Sequence, residues 1–300
     1  MPKKNLLAHL ALLAVALIYG SNYSIAKVVL DPGYLSPEAL VLLRVTTGMI
    51  LFTAIHYFLV GEKVQRADWG RMALCGLFGV ALNQMFFLLG LRLTTPIHAS
   101  LIMTTTPILV LLVAAVLAAE RLTTRKILGV FLGLVGAAWL ILQNRHATLE
   151  QSTFWGDLFI FFNATFYGIY LVIVNQLMKK YNPLTVVRWV FFFGFLYVFP
   201  FSIRDMVYTD WALIPPIAWK AIAFVLIATT FLAYLFNTFA LGIVNPSTVS
   251  AYIYLQPLFA GWISIWIGKE LLSLEKGIAG LLIFGGVYLV STRKRTVVKA

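Results

Sequence analysis

The chain has 300 residues, of which 61% are hydrophobic and 11% charged, and its mean hydropathy is +0.91. This composition leaves too little polar surface for a water-soluble domain, so lipid is the expected solvent. In a soluble protein the formal net charge of +12 would suggest nucleic-acid binding. In a membrane protein the same excess marks the cytoplasmic side, so nucleic acid is not an expected partner and the bilayer is.

The N-terminal apolar stretch follows Lys3 and Lys4 and continues to about Leu30. It lacks the small-residue cleavage pattern that follows the short core of a signal peptide, so we expect a retained first span. Cys75 is the single cysteine, which excludes an intramolecular disulfide.

Apolar stretches suited to crossing a hydrocarbon core about 30 Å thick follow one another along the whole chain. Short breaks separate them, including the Asp31-Pro32-Gly33 turn and helix restarts at Asn182-Pro183 and Asn245-Pro246. The predicted spans are residues 6–30, 37–60, 68–91, 96–118, 124–142, 154–178, 183–203, 217–241, 246–268 and 273–291. The sequence therefore predicts an all-α integral membrane protein with ten transmembrane helices.

A pattern of four residues occurs twice, at an offset of 150 positions and without a gap. Pro96, Ser100, Pro107 and Glu120 return as Pro246, Ser250, Pro257 and Glu270. Five spans in each half force the second half to enter the membrane in the opposite direction, which defines an inverted repeat. We predict a first five-helix repeat at residues 1–145, an inverted second repeat at 151–295 and a cytoplasmic tail at 296–300.

The basic residues predict the orientation. With the N-terminus in the cytoplasm, 14 of the 23 lysines and arginines fall on the inner side, six on the outer side and three inside predicted spans. This bias predicts that both termini are cytoplasmic.

Several stretches together resemble one known family of membrane proteins. They are Tyr19-Gly20-Ser21-Asn22-Tyr23, Pro37 to Arg44, the two proline–glutamate blocks, and the glycines Gly129, Gly133, Gly136, Gly280, Gly285 and Gly286. The pattern resembles the drug/metabolite transporter superfamily, specifically its EamA family of paired five-helix repeats. Arg188 follows Pro183 by five residues whereas Arg44 follows Pro37 by seven, so the two arginines are not treated as equivalents.

The resemblance implies a secondary transporter that works by alternating access in the cell inner (plasma) membrane. Export of amino acids or related small metabolites is the leading expectation, and efflux of drugs or toxic compounds is the alternative. Gly129, Gly133 and Gly136 are expected to allow close helix packing rather than to bind a ligand.

Polar side chains near mid-membrane are candidates for binding a substrate, because such groups are costly there unless they face protein or water. Interhelical hydrogen bonding is the simpler explanation of each residue alone, and the whole set is harder to explain that way. The candidates are Tyr19, Asn22, Asn83, Gln84, Asn163, Tyr167, Tyr234 and Asn237, together with Thr105 before one central proline and Tyr252 and Gln256 before the other.

Arg44 lies about eight residues into the second predicted span, too deep for an easy route to the interface. We expect it to bind substrate, the alternatives being a structural ion pair and a contact with lipid headgroups. Pro107 and Pro257 are expected to kink their helices, and Glu120 and Glu270, at helix ends, to act in gating or packing.

The sequence contains no H-E-x-x-H motif, no metal-ligand spacing among its four histidines and no convincing pair of buried aspartates. We therefore expect no catalytic residues, no metal and no cofactor, and we rank an intramembrane enzyme and a passive channel below a carrier. The expected partners are a small-molecule substrate and the lipid bilayer, and a homodimer is left open.

Overall fold

A computed structural model describes residues 3–117, 123–143, 154–259 and 274–291. Helix dominates all four ranges. The α-helices are α1 Lys3–Leu30, α2 Pro37–Leu59, α3 Trp69–Gly76, α4 Asn83–Leu93, α5 Pro96–Met103, α6 Thr106–Leu117, α7 Thr124–Gln143, α8 Phe154–Met178, α9 Pro183–Tyr208, α10 Pro216–Phe224, α11 Ala233–Leu241, α12 Pro246–Ala251 and α13 Leu274–Ser291.

Three helix starts, those of α2, α5 and α9, combine a capping side chain with a proline in the first turn. Ser36 accepts a hydrogen bond from the Ala39 amide at 3.0 Å, and Asn182 accepts one from the Leu184 amide at 3.0 Å. The helices that follow begin at Pro37 and Pro183. A proline lacks the N–H that would be unsatisfied in the first turn, so it fits there without loss. The predicted restarts at Pro183 and Pro246 are confirmed.

Two long helical rods each contain a π-helical segment. Residues Leu77–Leu82 join α3 to α4, and residues Val225–Leu232 join α10 to α11. A π segment widens the turn and shifts the facing of the residues that follow, and such segments are frequent at functional sites. The apolar pattern of the sequence does not predict either π segment.

Two further helical stretches, α5–α6 and α12 with the residues that follow it, are interrupted just before a proline. Between α5 and α6 the chain turns at Thr104 and Thr105, whose hydroxyls donate to the Leu101 carbonyl at 2.6 Å and the Ile102 carbonyl at 2.7 Å. After α12, a 3₁₀ turn at Tyr252–Tyr254 precedes a helical stretch at 255–259 that contains Pro257. The two threonine hydroxyls thus satisfy backbone carbonyls of their own helix.

The principal contacts join elements from opposite halves of the chain. Helix α2 packs on α9, and α7 packs on α13. Helix α1 packs on α11, and α4 packs on α8. A helix boundary also recurs at the 150-residue offset, since α5 begins at Pro96 and α12 begins at Pro246.

Glycines set the close approach of α7 and α13. A Cβ at Gly286 would lie 2.6 Å from the Gly129 carbonyl oxygen, and one at Gly136 would lie 2.8 Å from the Ala279 carbonyl oxygen. The expectation that Gly129 and Gly136 allow close packing is therefore confirmed. Gly285 differs, because a Cβ there would meet nothing within 4 Å among the residues whose positions are given.

Seven helices in the described part of the chain are long and apolar enough to cross a membrane, and Gly277–Val290 is a shorter apolar helix. The seven are Lys4–Leu30, Pro37–Leu59, Arg66–Leu93, His98–Leu117, Phe154–Met178, Pro183–Tyr208 and Pro216–Leu241. Large apolar side chains such as Val116 and Phe201 point outward and are exposed. The protein is therefore a multi-pass, all-helical integral membrane protein. The number of ten spans remains a prediction, because the ninth predicted span, 246–268, extends beyond the described residues.

Candidate functional site

A cavity lies between the two halves of the chain, and its empty space, including the part that is open to the outside, is about 520 Å³. Helices α1, α2, α4, α5, α8 and α11 contribute to its wall, as does the segment at 252–259. The lining residues are Tyr19, Asn22, Tyr23, Arg44, Asn83, Gln84, Phe87, Met103, Asn163, Tyr167, Tyr234, Ile253 and Gln256.

Arg44 supplies the charge of this cavity. Its side chain is buried, with 4% of its surface exposed, and its Nε donates to the Thr230 hydroxyl at 2.9 Å. Thr230 belongs to the second π segment and donates in turn to the Val225 carbonyl at 2.9 Å. The ion pairs seen within the described ranges involve other residues, so no carboxylate there neutralises Arg44. A buried guanidinium with unused N–H groups is suited to an anionic group of a ligand.

Tyr234 links the two long helices that contain π segments, the α3–α4 helix and the α10–α11 helix. Its hydroxyl donates to the Gly79 carbonyl at 2.7 Å, inside the first π segment. The same oxygen accepts a hydrogen bond from Gln84 Nε2 at 3.2 Å. The phenol therefore fixes the amide of Gln84 in one orientation at the cavity wall.

Helices α4 and α8 are joined by a pair of asparagines. Asn163 Nδ2 donates to the Asn83 carbonyl at 2.7 Å, and Asn83 Nδ2 donates to the Asn163 carbonyl at 3.4 Å. The second contact is long, so the first carries more of the interaction. The pair positions both side chains beside the cavity.

The segment at 252–259 meets α1 closely. The Tyr23 hydroxyl donates to Gln256 Oε1 at 2.9 Å. A Cβ at Gly20 would lie 2.7 Å from the Gln256 carbonyl oxygen, so only glycine allows this approach. The aromatic motif of the first span thus contacts the second proline-containing segment directly.

A smaller cavity of about 220 Å³ shares Tyr19, Tyr167, Ile253 and Gln256 with the larger one. Its wall includes two more predicted residues, Asn237 and Tyr252. Asn237 Nδ2 donates to the Tyr167 hydroxyl at 3.2 Å, and the Tyr252 hydroxyl lies 2.6 Å from His9 Nδ1. The shared residues form a partition between the two cavities.

The structure places nine of the predicted binding residues in the larger cavity wall and two more in the smaller one alone. Thr105 contributes to neither wall, because its hydroxyl is used within its own helix turn. Pro107 and Pro257 are buried just after the two interruptions. Glu120 and Glu270 lie outside the described residues.

The prediction missed Tyr23, Phe87, Met103 and Ile253 in the larger wall. Tyr23 lies four residues after Tyr19, and Phe87 lies three residues after Gln84, so helical spacing puts each beside a predicted residue. That spacing was available in the sequence. Met103 and Ile253 are apolar and carry no comparable signal.

No group of three histidine, cysteine or carboxylate side chains within the described ranges could hold a metal ion. His98 instead contacts Asp157, with 3.1 Å between Nδ1 and Oδ2, and Thr94 donates to the same carboxylate at 2.5 Å. These contacts attach the first turn of α8 to the turn between α4 and α5. Among the described residues that line the larger cavity, Arg44 is the one that carries a charge.

Comparison with known proteins adds independent information. The model of the EamA-like transporter family matches the chain twice, at residues 6–142 and 154–292. A solved crystal structure shares the fold with a TM-score of 0.72 at 20% identity, covering 95% of this chain and 96% of that chain.

Three relatives illustrate the range of names among similar proteins. An uncharacterized transporter of Archaeoglobus fulgidus is 25% identical, covering 95% of this chain and 98% of its own length. A protein of Streptantibioticus cattleyicolor named "Probable terminal-alkyne amino-acid exporter" is 26% identical, with coverages of 94% and 93%. A WAT1-related protein of Arabidopsis thaliana is 25% identical, with coverages of 94% and 84%. The chain is thus a membrane transporter that belongs to the EamA-like transporter family.

Proposed function

We propose that the protein is a secondary carrier that exports amino acids or related small metabolites by alternating access. The observation that carries the proposal is the cavity around Arg44, which is buried between the two halves and has no carboxylate partner in the described part of the chain. A substrate carboxylate would complete its electrostatics. The name of the Streptantibioticus relative supports the same substrate class.

The proposed architecture is ten spans arranged as two inverted five-helix repeats, at residues 1–145 and 151–295. The double match to the family model supports two homologous halves. The packing supports a twofold relation, because exchanging the halves converts the α1–α11 pair into the α8–α4 pair and returns the α2–α9 and α7–α13 pairs to themselves. Two halves of opposite direction can open one central site to either side in turn.

We further propose an inner-membrane location with both termini in the cytoplasm, from the distribution of basic residues. Pro107 and Pro257, inside the two central spans, are the proposed kink positions, and Glu120 and Glu270, at the ends of these spans, are the proposed gating or packing positions. Flux through a Glu120→Gln, Glu270→Gln double variant tests this role, and wild-type flux would remove it.

The proposed binding set consists of Arg44 with the tyrosines and amides around it. The residues are Tyr19, Asn22, Asn83, Gln84, Tyr167, Tyr234, Asn237, Tyr252 and Gln256. Drug efflux is the second candidate, favoured by the aromatic and apolar part of the wall at Tyr23, Phe87 and Met103. The buried cation disfavours cationic drugs, because like charges repel strongly at low dielectric.

Counterflow in proteoliposomes tests the proposal. Vesicles loaded with one unlabelled amino acid should accumulate the labelled form from outside, saturably, when each proteinogenic amino acid is screened in turn. Counterflow with an amino acid supports the proposal. A folded protein that moves none of them, but moves cationic drugs, would transfer support to the efflux function.

A further inference from the structure

Three side-chain oxygens beside the larger cavity have no hydrogen-bond partner among the residues that the structure describes. They are Asn22 Oδ1, Gln84 Oε1 and Asn163 Oδ1. The three residues line the same cavity and are 3%, 1% and 2% exposed, respectively. They come from α1, α4 and α8, so they belong to three different helices of both halves.

The orientation of two of these amides is fixed by their partners. The Tyr234 hydroxyl uses its proton on the Gly79 carbonyl, so it can only accept from Gln84, which must present its nitrogen. Asn163 faces the Asn83 carbonyl, which is also an acceptor, at 2.7 Å. The unpaired atom of each amide is therefore an oxygen, and an amide flip would break an existing bond.

A buried acceptor without a donor is destabilising, and three such acceptors at one cavity call for a common explanation. Two nearby donor atoms are engaged elsewhere, since Arg44 Nε donates to Thr230 and Asn83 Nδ2 faces the Asn163 carbonyl. An ammonium group offers three N–H donors and no acceptor. Its chemistry matches that of three unpaired carbonyl oxygens.

We propose that Asn22, Gln84 and Asn163 form an ammonium-binding subsite, and that with Arg44 they select zwitterionic substrates that carry both an ammonium and a carboxylate. This inference rests on the proposed carrier function and specifies its substrate class. Arg44 binds the carboxylate and the amide oxygens bind the ammonium. Because amides are neutral, they attract the ammonium without adding a second buried charge, which keeps the ligand releasable.

Competition in the counterflow assay tests the subsite. The amino acid with the strongest counterflow is the labelled probe. Its competitors are the same amino acid unlabelled, the carboxylic acid that lacks the amine, and the amine that lacks the carboxylate. We expect each one-ended analogue to compete roughly tenfold or more weakly, because each loses charge-assisted hydrogen bonds.

The outcomes separate this inference from the proposed function. Counterflow with equal competition by the carboxylic acid without an amine overturns the ammonium subsite and leaves the carrier intact, with water satisfying the three oxygens. Absence of counterflow with every amino acid overturns the proposed function itself.

Two variants make the test specific to the amide oxygens. Gln84→Met and Asn163→Leu keep similar shapes and remove the acceptors. We expect the amino acid to bind roughly tenfold more weakly while the carboxylic acid without an amine binds as in wild type, so the preference for the zwitterion falls. A purely structural role would weaken both ligands together.

Asn175→Leu is the matched control. Asn175 is a buried asparagine on the same helix as Asn163, and its Nδ2 donates to the Leu241 carbonyl at 3.1 Å, away from the cavity wall. Its loss should leave the preference for the zwitterion unchanged. An unchanged preference in Gln84→Met and Asn163→Leu as well would overturn the assignment.

Discussion

Two basic residues in this protein have opposite surroundings. Arg44 is buried beside the cavity, and its observed partner is a neutral hydroxyl, that of Thr230. Lys180 lies just after α8, with 42% of its side chain exposed, and it donates to the Asp68 carboxylate and to Gln65 Oε1. Arg44, the more deeply buried of the two, therefore lacks the carboxylate partner that Lys180 has.

The contrast between Arg44 and Lys180 indicates where a ligand is expected to bind. Around Lys180 the protein supplies its own counter-charge, and Tyr181 also donates to Asp68 at 2.6 Å. The cluster attaches the segment before α3 to the segment between α8 and α9, which is a structural task. A buried charge without a counter-charge is expensive, so it persists where function requires it.

The largest expected effect comes from Arg44→Met, which removes the cavity's charge while keeping a long apolar stem. We expect counterflow of the best amino acid to fall roughly tenfold or more, because a charge-assisted contact to the carboxylate is lost. Initial counterflow rates at equal amounts of folded protein measure this.

Lys220→Ala is the control for that variant, since Lys220 is an exposed cation on α10. Its flux should stay near that of wild type. Equal flux through the Arg44 and Lys220 variants would contradict a substrate-binding role for Arg44.

Tyr234→Phe should have the next largest effect. The phenol accepts from Gln84 and donates to Gly79, so its loss frees the Gln84 amide to rotate. We expect several-fold weaker binding of the zwitterion, with less change for its analogue without an amine. Tyr57→Phe, at an exposed tyrosine of α2, is the control. An equal loss of affinity for the zwitterion and for its analogue without an amine would show that Tyr234 acts in packing alone.

Asp68→Asn tests the cluster of Asp68, Lys180 and Tyr181. Asp68 is buried and accepts from both Lys180 and Tyr181, so the neutral amide would weaken two contacts at once. We expect the Tm of the purified protein to fall by a few degrees, with its ligand preference intact. Asp31→Asn removes an exposed carboxylate paired with Lys27 within one helix turn and should change Tm less. A change of ligand preference in Asp68→Asn would link this cluster to the cavity.

The sequence predicts the cavity better than it predicts this cluster. Depth in an apolar span is a local property, so polar residues such as Asn22, Arg44 and Gln84 can be recognised one by one. Depth alone does not tell which helix face meets the cavity. Thr105 has the expected depth, yet its hydroxyl satisfies its own helix turn.

Other features depend on contacts between distant parts of the chain. The π segment that places Thr230 against Arg44 has no signal in apolar periodicity, because a single wider turn hardly changes the pattern. Asp68 and Lys180 meet across 112 positions of sequence. Only the packing of α3 on α9 reveals this contact, because the sequence around Asp68 carries no sign of Lys180 and the sequence around Lys180 carries no sign of Asp68.

Lys180→Met is expected to have the smallest effect, because a half-exposed lysine gains little from one carboxylate. Its hydrogen bond to Asp68 raises the pKa of Lys180 above its ordinary value. A raised pKa keeps this contribution fully present below the unfolded-state pKa of about 10.4, and it is lost only as the pH rises through the folded-state pKa. The small loss of Tm in Lys180→Met should therefore be the same from about pH 6 to about pH 9. Lys179→Met, at the exposed lysine next to it, should leave Tm unchanged across this range. A Tm difference that disappears by about pH 9 would show that the ammonium titrates early, and Lys180 would then be as poorly paired as Arg44.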